Sequence, residues 1–472
     1  LLLSIGMSAQ HAHEEEKEKK LSPSELDSMI VRYKVSEKHA AKFGRLIIQD
    51  EGGRMKPVNT FSSELLRKVS KSDTYKGLNA DQVFLSMTQF RNAWLDVPLV
   101  YLKTGNDSLR KIIGIKSTDK YASFISFFDA QGNYKLSPYL DQAYRAAVPD
   151  QFQKDFIETD RRVNLLNSAL FGSILRLFPI PNDANYKWVS HLELSQSGLK
   201  GQDSVFTQNI LPIYLNALYQ AENSGDYKPA DFYLSGISKY QHKYGKDVMP
   251  SDERVDSEIM YNKYDIFKRL FYLYMIAGVM MLLLAIVNIF LEKRWMRYVI
   301  GFFHAGIILL FLLHCAGLVA RWYISGHAPW SDAYESMIYV AWATVLITLY
   351  FGKKSALTVA SGTFVASMIL MIAHWNWMDP AIANLQPVLD SYWLMIHVAV
   401  IVGSYGPFTL GMVIGMVCLI LMLLVNDKNR KKMELHINEL TYINEMALTI
   451  GLVMLTIGNF LGGQWANESW GR

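Results

Sequence analysis

The sequence from residue 392 to residue 425, YWLMIHVAVIVGSYGPFTLGMVIGMVCLILMLLV, contains no charged side chain. A helix needs about 20 apolar residues to cross a hydrocarbon layer about 30 Å thick, so this run exceeds one crossing. We expect its helix to tilt, to kink near residues 403–407, or to project from the membrane. Five other apolar runs also reach spanning length, and the six together predict a polytopic α-helical membrane bundle. They are residues 268–291, 298–320, 333–352, 355–373, 392–425 and 442–464.

The whole chain has a mean hydropathy of only +0.09, which is low for a protein embedded throughout in a membrane. This average combines a charged, mixed part at residues 20–265 with an apolar part at residues 266–472. The net charge of +4 is small, and no basic stripe alternates with aromatic residues, so nucleic acid is not an expected partner. The two cysteines, Cys315 and Cys418, lie in apolar runs, which leaves residues 20–265 without a disulfide or cysteine zinc site.

The first nineteen residues combine an apolar stretch with a charged linker. The apolar stretch is typical of the clipped end of either a signal peptide or a membrane helix, and both readings stay open.

The loops between the apolar runs predict the orientation, because lysine and arginine are retained on the cytoplasmic side. Three alternate loops are basic, and we expect them to lie inside. The other two, residues 321–332 and 374–391, share one arginine and are rich in Trp, Pro and Asp, so we expect them outside with residues 10–265 and the C-terminal tail. The basic residues are Lys293, Arg294, Arg297, Lys353, Lys354, Lys428, Arg430, Lys431 and Lys432.

Residues 20–265 are predicted to form a large extracytoplasmic domain that is mixed but mainly α. A capped helix is expected from Ser22, and an apolar strand with turn residues over 44–57 predicts a hairpin that leads into a helix at 60–68. Helical periodicity recurs near 81–95, 136–156 and 159–177.

His397 lies a few residues inside the predicted outer end of the fifth apolar run. A buried imidazole in a membrane must find a polar partner. One interpretation is a hydrogen bond to a neighbouring helix. The other is an axial ligand to haem iron, since a neutral imidazole on a rigid helix suits that metal.

His314, inside the second run, poses the same choice between a helix contact and an intramembrane ligand. His304 precedes it by ten residues, so the two side chains point about 80° apart and cannot share one ligand at similar depth.

Tryptophans are concentrated on the predicted outer side of the membrane. Such residues usually form an anchoring belt, but a flat aromatic wall would also suit a flat macrocycle. They are Trp322, Trp330, Trp375, Trp377, Trp393, Trp465 and Trp470.

Three segments resemble, in order and spacing, the CcsA component of the system II cytochrome c synthase. They are GHAPWSDAYES at 326–336, SYWLMIHV at 391–398 and WANESWG at 465–471. The resemblance covers residues 266–472, and residues 20–265 are similar, more weakly, to the ResB-like (CcsB) domain of the fused CcsBA type.

The resemblance implies a protein of the bacterial plasma membrane that carries haem b outward and attaches it to Cys-x-x-Cys-His motifs of apocytochrome c. His397 matches an outer haem ligand, giving the expected iron site. Trp465, Asn467, Glu468 and Trp470 match the start of the haem-cradling, tryptophan-rich WWD segment. The family's second outer histidine, the rest of that segment and its intramembrane histidines have no counterpart, so we expect a fragment that is inactive alone. Within this resemblance, His314 would be the substitute for an intramembrane ligand.

Attachment adds a cysteine thiol across each haem vinyl group, which requires a rigidly held macrocycle. Two other functions are compatible with the same residues: a haem conduit that forms no thioether, and a membrane assembly scaffold in which every histidine is structural. The partners expected for the first function are apocytochrome c, haem and the lipid bilayer.

Overall fold

The computed structural model describes residues 23–291, 293–375, 378–385, 390–427 and 429–470. The stretch predicted to be a clipped leader, 1–19, lies outside them. The chain packs as two compact units: the first comprises the described residues up to Leu46 with Phe61–Asp247, and the second comprises Ile47–Thr60 with the residues from Val248 onward. The sequence predicted that the extracytoplasmic domain ends at residue 265 and the membrane domain begins at residue 266. The packing of the chain does not test where the membrane begins, so this boundary stays a prediction.

Helices outnumber strands over residues 23–264, as the sequence predicted. Each strand pairs only with its neighbour in the chain, giving antiparallel pairs β1–β2, β3–β4, β5–β6 and β7–β8 among the described residues. The elements are α1 (Pro23–Arg32), α2 (Glu37–Gly44), β1 (Ile47–Gln49), β2 (Met55–Pro57), α3 (Val58–Ser70), β3 (Thr74–Tyr75), β4 (Leu78–Asn79), α4 (Ala80–Gln89), α5 (Arg91–Asp96), β5 (Pro98–Tyr101), α6 (Asp107–Ile113), β6 (Tyr121–Ser123), α7 (Ser137–Arg145), α8 (Gln151–Leu170), β7 (Arg176–Pro179), β8 (Trp188–Ser190), α9 (Gly201–Ser224), α10 (Lys228–Tyr244) and α11 (Asp252–Tyr264).

The early helix and hairpin were predicted correctly, whereas two helix boundaries were wrong. The helix predicted over 136–156 ends earlier, and a new one starts where Asp150 and Gln153 form a capping box. That helix includes most of the one predicted at 159–177, whose last residues form the strand β7 instead. Apolar periodicity does not register such a cap, although the pair Asp150 and Gln153 is visible in the sequence.

The six predicted membrane helices are confirmed: the described residues contain six helices long and apolar enough to cross a membrane. They are α12 (Ile266–Leu291), α13 (Arg294–Ser325), α14 (Ala333–Phe351), α15 (Ala356–His374), α16 (Tyr392–Leu423) and α17 (Arg430–Trp470). α16 is continuous through Pro407, and its tilt or kink stays a prediction. α17 is longer than predicted, so residues 465–470 are helical rather than a tail.

Glycines let the membrane helices of the second unit approach closely, as small residues do in membrane proteins. A Cβ added to Gly278 on α12 would lie 2.7 Å from the backbone nitrogen of Phe364 on α15. One added to Gly406 on α16 would lie 2.8 Å from the carbonyl carbon of Ala343 on α14. Backbone is therefore packed against backbone at both crossings, which fixes how the helices can align.

The hairpin β1–β2 belongs to this second unit and is attached to it by polar contacts. Arg54 Nη2 forms a buried ion pair with Glu258 Oε1 of α11 at 2.7 Å. Asn384, in the loop before α16, donates its amide N–H to the Gly52 carbonyl at 3.1 Å.

Candidate functional site

The packing of α16 against α17 places His397. An added Cβ at Gly458 would lie 2.6 Å from Ile401, and one at Gly462 would lie 2.6 Å from Cε1 of the His397 ring. The imidazole therefore occupies the space that a side chain at residue 462 would fill. Only glycine at these two positions of α17 leaves room for the ring and the neighbouring isoleucine.

The hydrogen bond of His397 determines which ring nitrogen carries the proton. Nδ1 lies 2.7 Å from the carbonyl oxygen of Gly458. A carbonyl can only accept, so Nδ1 is the donor, and in the neutral ring Nε2 keeps its lone pair. No protein donor to Nε2 is seen among the described residues. Metal-binding histidines usually have this arrangement, with one N–H donated to a carbonyl and the other nitrogen on the metal.

The tryptophan-rich end of α17 follows, in the chain, the two glycines that contact His397 and Ile401. At about 100° per residue, Trp465 lies within about 20° of Gly458 around the helix axis, on the face that packs against α16. Its indole N–H is buried and finds no acceptor among the described residues. The Trp470 ring lies 5.3 Å from that of Trp465, at an angle of 56°.

The other two residues matched to this segment do not share that face. Asn467 and Glu468 are exposed, and Asn467 points about 180° away from Gly458. The structure thus brings the Trp465 and Trp470 rings together, but only Trp465 of these four residues lies on the face that packs against α16. Glu468 points about 80° and Trp470 about 120° away from Gly458, and Trp470 is 71% exposed. Their role as a haem-cradling segment stays a prediction.

A second aromatic group approaches α16 from the loop before α14. The indole N–H of Trp330 donates to the Met395 carbonyl at 3.0 Å, two residues before His397. The Trp330 ring lies 4.9 Å from Tyr339, which stacks on Trp342 at 5.4 Å. Trp330 is therefore fixed to the same end of α16 that carries the candidate ligand.

The remaining outer tryptophans do not form one wall with this group. Trp322 and Trp375 are more than half exposed, and Trp393 packs on the adjacent Tyr392. Trp377 lies outside the described residues. Exposed indoles at helix ends are typical of an anchoring belt.

His314 is fully buried in α13 and bonded to a neighbouring helix. Its Nε2 donates to the Ile338 carbonyl of α14 at 3.1 Å, and the ring packs on Phe267 and Tyr274. Nδ1 is buried and has no hydrogen-bond partner in the described part of the chain. These contacts agree with the interpretation in which His314 bonds to a neighbouring helix. The role of His314 as an intramembrane ligand stays a prediction.

No group of three or more His, Cys, Asp or Glu side chains forms a metal site within the described ranges. Haem iron needs only one or two axial ligands from the protein, because the porphyrin supplies the other four.

A buried ion pair between α13 and α14 was not predicted from the sequence. Arg321 Nε lies 2.7 Å from Glu335 Oε1, and both side chains are at most 1% exposed. Each residue stands at the end of an apolar run, where an ionisable side chain is itself a signal of function.

Comparisons with known proteins identify the family. The family model described as cytochrome C assembly protein matches residues 330–472. Protein NrfI of Wolinella succinogenes is 37% identical over 443 residues, which is 93% of this chain and 48% of NrfI. The cytochrome c biogenesis protein CcsA of Lobularia maritima is 30% identical over 229 residues, 37% of this chain and 68% of that protein. The CcsA of Nasturtium officinale is 30% identical over 225 residues, with the same two shares.

The chain thus spans about half the length of NrfI and about two thirds of the CcsA proteins. The alignment over 93% of this chain concerns its own residues, and the expectation that it is a fragment stays a prediction. The identity to the CcsA proteins over two thirds of their length, the family match at residues 330–472 and the six membrane helices agree with one another. We conclude that the chain belongs to the CcsA-type family of cytochrome c assembly proteins.

Proposed function

We propose that this protein acts in cytochrome c biogenesis by holding haem b at the outer membrane face, with His397 as an axial iron ligand, and attaching it covalently to apocytochrome c. The observation that carries the proposal is the hydrogen bond between His397 Nδ1 and the Gly458 carbonyl. The Nδ1 proton is committed to the Gly458 carbonyl at 2.7 Å, which leaves the Nε2 lone pair for a metal.

The surroundings of His397 support a flat apolar substrate. Trp465 and Trp470 lie on the last turns of α17, beyond the glycines that accommodate the imidazole. Indole faces stack on macrocycles, and the unpartnered Trp465 N–H offers a donor to a polar edge. We infer that these two rings contact the porphyrin beside His397.

Holding the substrate rigidly is the contribution expected of the protein. Thioether formation adds the S–H of a cysteine across a vinyl C=C bond, forming one C–S and one C–H bond without net oxidation. With iron and thiols reduced, the remaining requirement is alignment of the vinyl edge with the incoming thiol pair, which a fixed ligand and an aromatic plane provide.

We infer that the protein lies in the bacterial plasma membrane, with residues 20–265 and the end of α17 outside the cytoplasm. The basic loops support this orientation through the positive-inside rule. Apocytochrome c is the inferred partner, and it would reach the haem from that side.

The test uses the natural protein, co-expressed with an apocytochrome c that carries a Cys-x-x-Cys-His motif. We expect His397→Ala to lower Soret absorbance of the purified protein and covalent haem in the cytochrome by about tenfold or more, as loss of a metal ligand should. His304→Ala is the matched control, since His304 is also a half-buried histidine of a membrane helix. It should change neither quantity.

Chemical rescue makes this test specific. In His397→Gly, added imidazole should restore the Soret absorbance, because it can occupy the vacated space and bind iron. Unchanged haem retention in both His397 variants would disprove the ligand assignment. Haem retention in the unmodified protein without any covalent attachment would instead identify a haem conduit.

A further inference from the structure

Arg321 is fully buried near the end of α13, yet its guanidinium is well satisfied. Besides the ion pair with Glu335, Nη1 donates to the Pro380 carbonyl at 2.9 Å and to the Tyr261 hydroxyl at 3.3 Å. Nη2 donates to the Ala381 carbonyl at 3.4 Å. One side chain of α13 therefore joins α11, the first turn of α14 and the loop that precedes α16.

Burying a guanidinium is costly unless its hydrogen bonds and charge are both matched. One or two hydrogen bonds from a side chain are enough to link two helices. Here the fork contacts three segments at once, including two consecutive carbonyls of one loop, Pro380 and Ala381. Arginine suits this arrangement because its five donors have a fixed planar geometry.

A short series of hydrogen bonds leads from Arg321 to α16. Glu335 bonds Arg321 through Oε1 and accepts the backbone N–H of Ser331 at 2.9 Å through Oε2. Ser331 directly follows Trp330, whose indole donates to the Met395 carbonyl at 3.0 Å. Met395 lies two residues before His397, on the same helix.

The loop between α13 and α14 makes a second contact with the loop before α16, through His327. The His327 Nε2 lies 3.2 Å from the Ala383 carbonyl, in the same segment that Arg321 contacts at Pro380 and Ala381. The two loops are thereby tied together on either side of Trp330. Arg321 contacts the loop before α16 directly, at Pro380 and Ala381, and reaches the loop before α14 through Glu335, which accepts the Ser331 N–H.

We propose that Arg321 is a positioning residue for the haem site: through Glu335 and Ser331 it fixes Trp330 on the Met395 carbonyl and so sets the end of α16 that carries His397. The link from Arg321 to Trp330 concerns this chain's own contacts. Its consequence for haem rests on the proposed function above.

The decisive variant is Arg321→Lys. Lysine keeps the positive charge beside Glu335 but cannot reach Pro380, Ala381 and Tyr261 simultaneously with one ammonium. Arg54→Lys is a matched control, because Arg54 also forms a buried ion pair with a glutamate of the second unit, Glu258, at 2.7 Å. Arg54 has no direct contact with Glu335 or Ser331 among the described interactions.

The first measurement does not involve haem. Exchange of the indole N–H groups is followed by NMR in protein labelled with 15N-tryptophan, with assignments from Trp330→Phe and Trp342→Phe. In Arg321→Lys we expect Trp330 to lose protection several-fold, up to about tenfold, as loss of one hydrogen bond would cause. Trp342 donates to Cys315 Sγ at 3.1 Å and should stay protected.

The second measurement is the absorption spectrum of bound haem. Arg321→Lys should shift the Soret band and increase its response to added imidazole, while Arg54→Lys should match the unmodified protein. Absence of haem from the unmodified protein contradicts the proposed function but leaves the Trp330 measurement valid.

Unchanged Trp330 protection in Arg321→Lys would overturn the inference. Equal loss of protection at Trp330 and Trp342 would also overturn it, since that result indicates general loosening of the bundle. If Arg321→Lys does not fold, Glu335→Gln replaces it, because the amide can still accept from Ser331 while the ion pair is lost. Failure of both variants to fold would assign Arg321 a purely structural role.

Discussion

At the scale of single residues, the candidate site depends on the absence of a side chain at two glycines of α17. The His397 ring lies where a side chain of Gly462 would be, and its proton is fixed by the Gly458 carbonyl. The imidazole therefore has one orientation relative to α17 rather than several. A ligand with a fixed orientation loses less conformational entropy when it binds a metal.

Gly462→Ala tests this dependence. The added Cβ would lie 2.6 Å from Cε1 and 2.8 Å from Nδ1 of His397, so the ring must move away from its acceptor. We expect haem affinity to fall about 10-fold, within the range for losing an outer-shell partner of a metal ligand. The measurement is haem titration of the purified protein.

Gly463→Ala is its control, because a Cβ at Gly463 meets nothing within 4 Å. Equal haem affinity in Gly462→Ala and the unmodified protein would show that the contact with Gly458 is dispensable.

Glu222 in the first unit carries a pH-dependent contact. Gln89 Nε2 donates to its Oε2 at 3.0 Å, while Glu222 Oε1 and Gln89 Oε1 are both buried without a partner in the described structure. Burial raises the pKa of Glu222 to about 8, so the carboxyl is protonated at neutral pH.

This assignment predicts how stability varies with pH. The folded state binds the Glu222 proton more tightly than the unfolded state, whose pKa is near 4.5. The contribution is therefore complete below about pH 4.5 and is lost as pH rises through about 8. Glu222→Gln should remove this loss and raise the thermal midpoint above pH 8. The exposed Glu37→Gln is the control, and identical pH profiles for all three proteins would contradict the prediction.

At the scale of elements, close helix contacts set the registers on which the site depends. α12 and α15 meet at Gly278, where an added Cβ would lie 2.7 Å from the Phe364 nitrogen and 3.0 Å from its Cα. Backbone atoms cannot rotate away as a side chain can, so a methyl group there must separate the helices. Such contacts replace the hydrophobic effect, which does not drive helix association in lipid.

Gly278→Ala should therefore destabilise the second unit by about 1–3 kcal/mol, the usual cost of overpacking. Gly306→Ala on α13 is the matched control, because its Cβ would enter open space. There alanine should be neutral or stabilising by up to about 1 kcal/mol through helix propensity. Denaturant titration in detergent measures both, and equal effects of the two substitutions would refute the packing argument.

At the scale of the whole molecule, six successive membrane crossings must alternate in direction, so one orientation fixes every loop. The loop that carries Asp390 and the loop that carries Asp427 lie at opposite ends of α16, and both side chains are exposed. The positive-inside rule predicts that Asp427 lies in the cytoplasm.

Cysteine labelling tests this orientation in a background where Cys315 and Cys418 are alanine. We expect a membrane-impermeant maleimide to label Asp390→Cys in intact cells and Asp427→Cys only after permeabilisation. The reverse pattern would place the proposed haem site on the cytoplasmic side and remove the inferred route to apocytochrome c.

The sequence by itself determined the six spans, the first hairpin and the positions of the candidate ligand and aromatic residues. These features depend on runs of neighbouring residues, because hydropathy, turn chemistry and motif spacing are local properties. The same local basis explains the failures: periodicity placed helix boundaries wrongly near residue 150, and the WANESWG segment gave no sign that Trp465 and Asn467 lie on different sides of a helix.

Only the tertiary structure decided which partners these residues have. His397 finds its acceptor 61 residues away in Gly458, and Arg321 finds carbonyls at Pro380 and Ala381, about 60 residues along the chain. A sequence identifies a buried imidazole or guanidinium that needs a partner. The identity of that partner depends on which helices pack together and in which register, and here backbone contacts at glycines fix both.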